Sequence, residues 1–333
     1  MGSPLYAELL TIALADFDSG GPVSRVLADF EGDAVSAALP LRLMGGVHRL
    51  VLEGVGGSLS AHFPTVGGDP DGQTLAEDFL VAVDANASYL REALVVAPQT
   101  NEIGRSAALL PGLGVALEGR KMPVRLLEIG SSAGLNLNLD QYSYRAGAWT
   151  WDGVADAPTV AVEWSGPAPP LPQSLEIVER RGCDLSPLDA TNPDERTRLL
   201  SFVWADQTAR FERMRGALDL MESSDIKLDK ADAGQWVAQR LADGHGSGSM
   251  TVLQHSVMWM YLPEDTRKLI LGTVSEAGEA ATDDRPLAHV RFEASPRGYN
   301  AAGHRLTVQV WPGGEEQVLA TGHAHGAWVA WNG

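Results

Sequence analysis

Apolar residues recur at helical spacing over Leu5–Phe17 and over Thr74–Val96, and neither stretch alternates as a strand does. Between them His62-Phe-Pro-Thr-Val-Gly-Gly-Asp-Pro-Asp-Gly72 is punctuated by glycine and proline and reads as a loop. Gln99-Thr-Asn-Glu-Ile-Gly104 follows, with Thr100 or Asn101 placed to cap a further helix running to about Leu117. From Pro123 the pattern changes. Apolar strand-like runs fall at Val124–Ile129, Ile177–Cys183, Asp225–Leu228, Met250–Val257 and Leu287–Glu293. Helical patterns separate them, from Leu135 onward, over Arg196–Met221, Trp236–Leu241 and Glu264–Ala277. His304–Trp311 and Gln317–Gly326 flank Pro312-Gly-Gly314 as a β-hairpin.

Trp149, Trp151 and Trp164, with Gly166-Pro-Ala-Pro-Pro-Leu-Pro172, mark an irregular insertion at about residues 141–175. Strands alternating with helices and closed by a hairpin predict an α/β chain. The expected architecture is a Rossmann-like doubly wound sheet with a C-terminal antiparallel hairpin over residues 121–333. A mostly helical domain over residues 1–120 would cover its cleft. No internal repeat is visible.

Charge and cysteine usage narrow the partners. The chain of 333 residues carries 25 basic and 43 acidic residues, a net charge of −18. No basic run interrupts this, so a nucleic-acid backbone would be repelled. The single cysteine, Cys183, excludes an intramolecular disulfide and fits a reducing compartment. No apolar run approaches the ~18 residues of a membrane span. The expectation is a cytoplasmic protein acting on a small molecule, with neither nucleic acid nor membrane as partner.

The most informative segment is Val124-Arg-Leu-Leu-Glu-Ile-Gly-Ser-Ser-Ala-Gly-Leu-Asn136, an apolar strand ending in an acid and a glycine-bearing turn. Such a turn brings backbone N–H groups up to a ligand. Glu128-x-Gly130-x-Ser132-x-Gly134 resembles the first motif of S-adenosylmethionine (SAM) methyltransferases, with Ser132 where the middle glycine usually sits. Gly130-x-Ser132-x-Gly134 also spells the nucleophile elbow of serine hydrolases.

In a doubly wound sheet the ligand lies at the carboxyl ends of the strands, so each strand end is read for its polar residue. Asp184 ends the second strand and suits the ribose hydroxyls, although 184 − 128 = 56 residues is far more than a plain unit needs. Glu163 competes for that role. Asp232 follows the third strand and resembles the acid that methyltransferases place near adenine. Each also has a structural explanation: Asp184 lies in an Asp-x-Ser-Pro turn, and Asp232 stands where it can cap a helix.

His255 follows the fourth strand, where a base is useful, and Trp259 lies just beyond it. Gln99, Asn101 and Glu102 form a polar run that serves either a ligand or a helix cap. His323 and His325 alternate on one expected strand, but no third ligand accompanies them, so no metal site is expected. The tryptophans suit a planar substrate or a small core of the insertion.

Several blocks occur in one order: Gln99-Thr-Asn-Glu-Ile-Gly-Arg105, Leu127–Asn136, Gly182-Cys-Asp-Leu-Ser-Pro-Leu-Asp189, Val203-Trp-Ala-Asp-Gln207, His255-Ser-Val-Met-Trp259 and Tyr261-Leu-Pro263. They resemble a bacterial family catalogued as domain of unknown function 2332, over roughly residues 4 to 300. That resemblance implies a class I SAM methyltransferase-like fold and no known substrate.

On this reading SAM is the cofactor. Glu128, Gly130, Ser132 and Gly134 hold its amino-acid end, Asp184 the ribose and Asp232 the adenine. Glu102, Asp206 and His255 are candidates to orient or deprotonate an acceptor, beside Gln99, Asn101 and Trp259. The competing enzyme is a serine hydrolase with Ser132 as nucleophile. It would take Asp232 or Asp265 and His323 or His325, with Gly45-Gly46 or Gly67-Gly68 as oxyanion hole. A third reading is a methyltransferase-like binding protein without turnover.

Overall fold

The computed structural model describes residues 2–70, 72–242, 248–295 and 303–333. The chain divides into two compact units, residues 1–100 with 190–215 and residues 101–189 with 216–333. The helical unit therefore takes in a segment from within the second half of the chain, and a cut near residue 120 leaves that segment out.

In chain order the first elements are α1 (Pro4–Asp18), α2 (Pro22–Leu27), α3 (Leu39–Leu52), α4 (Leu75–Ala85) and α5 (Ala87–Val95). The expected helix over Thr74–Val96 is broken at Asn86, whose side chain donates to Ala82 O at 2.9 Å and competes with the helical ladder. Next come α6 (Ser106–Ala116), β1 (Val124–Ile129), β2 (Ser143–Arg145), β3 (Thr150–Trp151), β4 (Thr159–Ala161), β5 (Glu163–Ser165) and β6 (Ile177–Asp184). The remainder is α7 (Pro193–Ser201), α8 (Thr208–Leu220), β7 (Ile226–Lys230), α9 (Ala233–Ala242), β8 (Met250–Ser256), α10 (Glu264–Glu279), β9 (Leu287–Ala294), β10 (His304–Trp311), β11 (Glu316–Gly322) and β12 (Trp328–Trp331).

The helical unit closes around Leu5, Leu9, Val47, Leu50, Phe63, Phe79 and Leu90, all nearly inaccessible. His48 lies within this unit, its Nδ1 3.2 Å from Ser201 O and its Nε2 2.8 Å from Thr65 Oγ1. Burial pulls its pKa down to about 4, so the ring is neutral. The expected long helix over Arg196–Met221 is two helices, α7 and α8. Between them Asp206 accepts from Ser3 Oγ at 2.7 Å and from Leu5 N at 3.2 Å, which fixes the start of α1.

Among the described residues of the second unit the strands form a nine-stranded, mostly parallel sheet, ordered β5-β12-β11-β10-β9-β8-β1-β6-β7. Strands β7, β6, β1, β8 and β9 run parallel, and the order reverses beside β1. The expected hairpin is β10 and β11, which continues antiparallel from β9 into β12. Every residue of β1 and β8 is buried, as central strands of a two-sided sheet must be. One side chain face, with Leu127, Ile129 and Leu253, packs on Trp236 and Val237 of α9 and Ile270 and Val274 of α10. The opposite face takes α6, where Gly112 sits against Val290, Leu306 and Val308.

The connection from β1 to β6 is the insertion. Its strands β3, β2 and β4 make a small sheet, and β5 pairs with β12 at the far edge of the large one. Trp149 packs on Trp164, and Trp164 on Trp331 of β12, with ring centroids 5.3 and 5.6 Å apart, so these tryptophans pack the insertion against the edge of the large sheet. The helix expected from Leu135 onward is instead one 3-10 turn, Leu135–Asn138. Carbonyls that a continuing helix would use are taken. Tyr142 Oη donates to Leu135 O at 2.6 Å, Tyr144 Oη to Leu139 O at 2.5 Å, and Arg180 to Leu137 O. A helix dipole therefore adds nothing at the glycine turn.

Candidate functional site

The turn after β1 holds Gly130, Ser132 and Gly134 at φ 65°, 53° and 77°. Glycine adopts this left-handed region freely, whereas Ser132 is held there against its preference. The holding is by β6. Ser132 N donates to Asp184 Oδ2 at 3.0 Å, and Ser131 N donates to Cys183 O at 3.1 Å. Asp184 Oδ1 accepts from Ser186 N at 2.9 Å, closing its own turn. Both oxygens of the expected ribose acid therefore already accept backbone N–H groups. Parallel pairing of β1 with β6 explains how a 56-residue separation brings them together.

Glu128 stands at the carboxyl end of β1, 2% exposed and paired in register with Gln254 of β8. Burial pushes its pKa up to about 8, against the attraction of Arg105 and a hydrogen bond with Gln254. Its Oε2 is buried with no hydrogen-bond partner, as are Ser132 Oγ and Asn136 Oδ1. Gln254 Nε2 also donates to Asn136 O at 3.2 Å and so ties the strand end to the 3-10 turn.

The polar run before α6 clips this turn. Asn101 Oδ1 accepts from Leu135 N at 2.8 Å, and Glu102 O accepts from Asn136 Nδ2 at 3.5 Å. Glu102 itself caps the start of the next turn through Gly104 N at 3.0 Å, and its Oε2 is 3.9 Å from His325 Nδ1. The cap expected of Thr100 or Asn101 is thus made by Glu102, and Asn101 reaches the glycine turn instead. Asp232 accepts from Gly234 N at 3.0 Å and Gln235 N at 3.1 Å, which caps α9.

His255, at the end of β8, is wholly buried. Its Nδ1 is 2.7 Å from Glu293 Oε1, and its Nε2 is 3.1 Å from His289 Nε2. Burial pushes the His289 pKa well below its ordinary value, and the neighbouring His255 adds to this. Trp259 stacks on His255 with centroids 5.0 Å apart. Glu293 also accepts from Met258 N at 3.3 Å and Trp259 N at 3.2 Å.

These bonds sort the expected residues. Glu128, Gly130, Ser132, Gly134, Asp184, Asn101 and Glu102 converge on one turn, and Met258, three residues after His255, packs onto it at Gly130. Asp232 is engaged as a cap, and Gln99 and Asp206 belong to the helical unit, where Gln99 accepts from Arg198 and Asp206 anchors α1. Glu163 lies on β5 at the edge of the sheet, with five strands between it and β1, which removes it as a ribose ligand at this turn. Sequence reading passed over Gln254, Met258 and Glu293. Glu293, at the end of the fifth strand, carries the same signal as Glu128, Asp184 and Asp232 at the first three.

A hydrolase site is not assembled around Ser132. Its Oγ meets no base, and His323 Nδ1 accepts from His325 N at 3.2 Å. Gly67 and Gly68 donate to Pro64 O and Phe63 O, both at 3.0 Å, and Gly45 and Gly46 lie inside α3. Among the described residues no group of three or more His, Cys, Asp and Glu could hold a metal ion, and no helix is long and apolar enough to cross a membrane. A groove of about 530 Å³, lined by Glu118–Pro123 and Pro170–Ser174, opens at the amino end of β1, the wrong end of a parallel sheet for a ligand.

Neither the curated proteins nor the solved structures contain a match to this chain. A family model does match, over residues 1–331, and it carries the description of an uncharacterised protein conserved in bacteria. The chain therefore belongs to the DUF2332 family.

Proposed function

We propose that the sheet unit is a class I methyltransferase-like domain that binds SAM at the turn after β1, with a small molecule as acceptor. The supporting observation is a cluster of unpartnered buried polar atoms on one turn. Glu128 Oε2, Ser132 Oγ and Asn136 Oδ1 all belong to residues 128–136, at the carboxyl ends of the strands where the order reverses. Asn136 Oδ1 is an acceptor, and Glu128 becomes one when a nearby positive charge draws off its proton, so the pair suits the ammonium of an amino-acid moiety. The parallel order β7-β6-β1-β8-β9, followed by antiparallel β10, resembles the class I arrangement, and the sheet then extends beyond it.

SAM supplies an activated methyl group when bound. The chain's own work is to hold and align. Glu128, Asn136 and Gln254 offer the polar wall, and Asp184 and Asn101 keep the turn rigid through Ser132 N and Leu135 N. Glu102, Asp206 and His255 are each committed to a cap or a buried pair. This favours catalysis by proximity, or binding without turnover, over catalysis by one of these bases.

A thermal-shift panel with SAM, S-adenosylhomocysteine, NAD and NADP tests the reading. Ligand at ~100 times its dissociation constant adds ~2.7 kcal/mol of stability, a readable rise. A shift with the two adenosyl ligands alone is expected. A fluorophosphonate probe should leave Ser132 unlabelled; stoichiometric labelling lost in Ser132→Gly would replace this reading with a hydrolase.

A further inference from the structure

The side of Gly130 on which a Cβ would stand is covered by the chain itself. A Cβ on Gly130 would lie 2.9 Å from Met258 Cβ, 2.9 Å from its Cγ and 3.0 Å from its Cε. Three carbons of one side chain thus wrap the glycine, while Met258 remains only partly buried.

The residue before it is under strain. Val257 has φ 53°, a left-handed conformation that β-branched residues adopt only when held from outside. What holds it is visible. Val257 N donates to Phe292 O at 3.0 Å, and Met258 N and Trp259 N donate to the two oxygens of Glu293 at 3.3 and 3.2 Å. Glu293 is fixed in turn by His255 Nδ1 at 2.7 Å, on whose ring Trp259 stacks. A strained residue, a latch of long hydrogen bonds and a side chain seated on a glycine turn are the parts that a two-state element needs.

We propose that Val257–Met258 is a gate over the glycine turn, closed by the Glu293–His255 latch and displaced when the cofactor enters. It rests on the cofactor reading above. On opening, Val257 relaxes to extended backbone and Met258 leaves the Cα of Gly130, so binding is weakened by the fraction of molecules that stay closed. Glu293 is a positioning residue here: it acts through the turn.

Equilibrium dialysis with labelled S-adenosylhomocysteine tests this on the full chain, with melting of the ligand-free protein as the check on folding. If about one molecule in ten is open, Met258→Ala should bind about tenfold more tightly than wild type. Met258→Leu, of similar bulk, should bind like wild type. Glu293→Gln, which weakens the latch, should also tighten binding. Val257→Gly should weaken it, because glycine holds φ 53° without strain and the closed arrangement gains. That opposite sign is one a merely structural role would not give. Should Met258→Ala fail to fold, Glu293→Gln and Val257→Gly carry the test. Wild-type affinity in every folded variant would overturn the gate and leave the cofactor reading standing. Absence of binding by wild type and variants alike, at millimolar ligand, would overturn both.

Discussion

At the residue scale the account turns on Glu128 and Asp184, two carboxylates beside one turn with different surroundings. Glu128 is fully buried and carries an unpartnered oxygen, and burial raises its pKa to about 8. A carboxyl whose folded pKa lies above its unfolded value of 4.5 favours the folded state in its protonated form. Its contribution is complete below about pH 4.5 and is lost as pH rises through about 8. Glu128→Gln should therefore match wild type in urea unfolding at pH 5 and exceed it at pH 9, by a few kcal/mol at most. Equal stabilities at pH 9 would show that the carboxyl is already ionised at no cost. Asp184 instead serves two backbone donors. Asp184→Ala strands Ser132 N and Ser186 N and should lower unfolding free energy by roughly 1.5–3 kcal/mol without any ligand. A stable Asp184→Ala that has lost only ligand affinity would return this residue to the ribose.

At the element scale the seven expected strands are present, whereas the short strands β2–β5 of the insertion, β12 and the local breaks were not legible. The strand expected at Ile177–Cys183 is β6, Ile177–Asp184, and the hairpin strand His304–Trp311 is β10 unchanged; β10 alternates buried and half-buried positions over most of its length, and the Gly-rich turn Pro312-Gly-Gly314 bounds it. The helix after Gly134 failed for a reason outside its own window. Tyr142, Tyr144 and Arg180, all later in the chain, take the carbonyls it needed. The turn itself was found from Glu128-Ile-Gly130, while its clip was half found: Asn101 was singled out as a cap or ligand residue, but its bond to Leu135 N depends on a tertiary approach. That bond makes a prediction. Asn101→Ala leaves a buried N–H unsatisfied and should destabilise by roughly 1–3 kcal/mol in denaturant unfolding. A change near zero would mean that the clip is incidental to the turn.

At the scale of the whole molecule, a family match over residues 1–331 and a net charge of −18 say nothing of substrate, so the functional reading rests on the segment 128–136, where Glu128, Ser132 and Asn136 each carry an unpartnered buried polar atom. Buried groups bound the chain's pH range from opposite sides, His48 and His289 from below and Glu128 from above. His48 is held neutral at a pKa of about 4, so its contribution is present above about pH 6.5 and is lost as pH falls through 4. Glu128 acts in the other direction above pH 4.5. Urea unfolding across pH 4 to 9 should therefore show a decline toward high pH that is smaller in Glu128→Gln, and an unchanged decline in that variant would refute the Glu128 assignment. The claim on which the rest depends is that the turn after β1 holds an adenosyl cofactor. Calorimetric titration of the intact chain with S-adenosylhomocysteine tests it most directly. The account predicts saturable binding at one site per chain, weakened in Asn136→Ala, which removes one of the unpartnered acceptors. No heat at millimolar ligand, or saturable heat with NAD in its place, would contradict it.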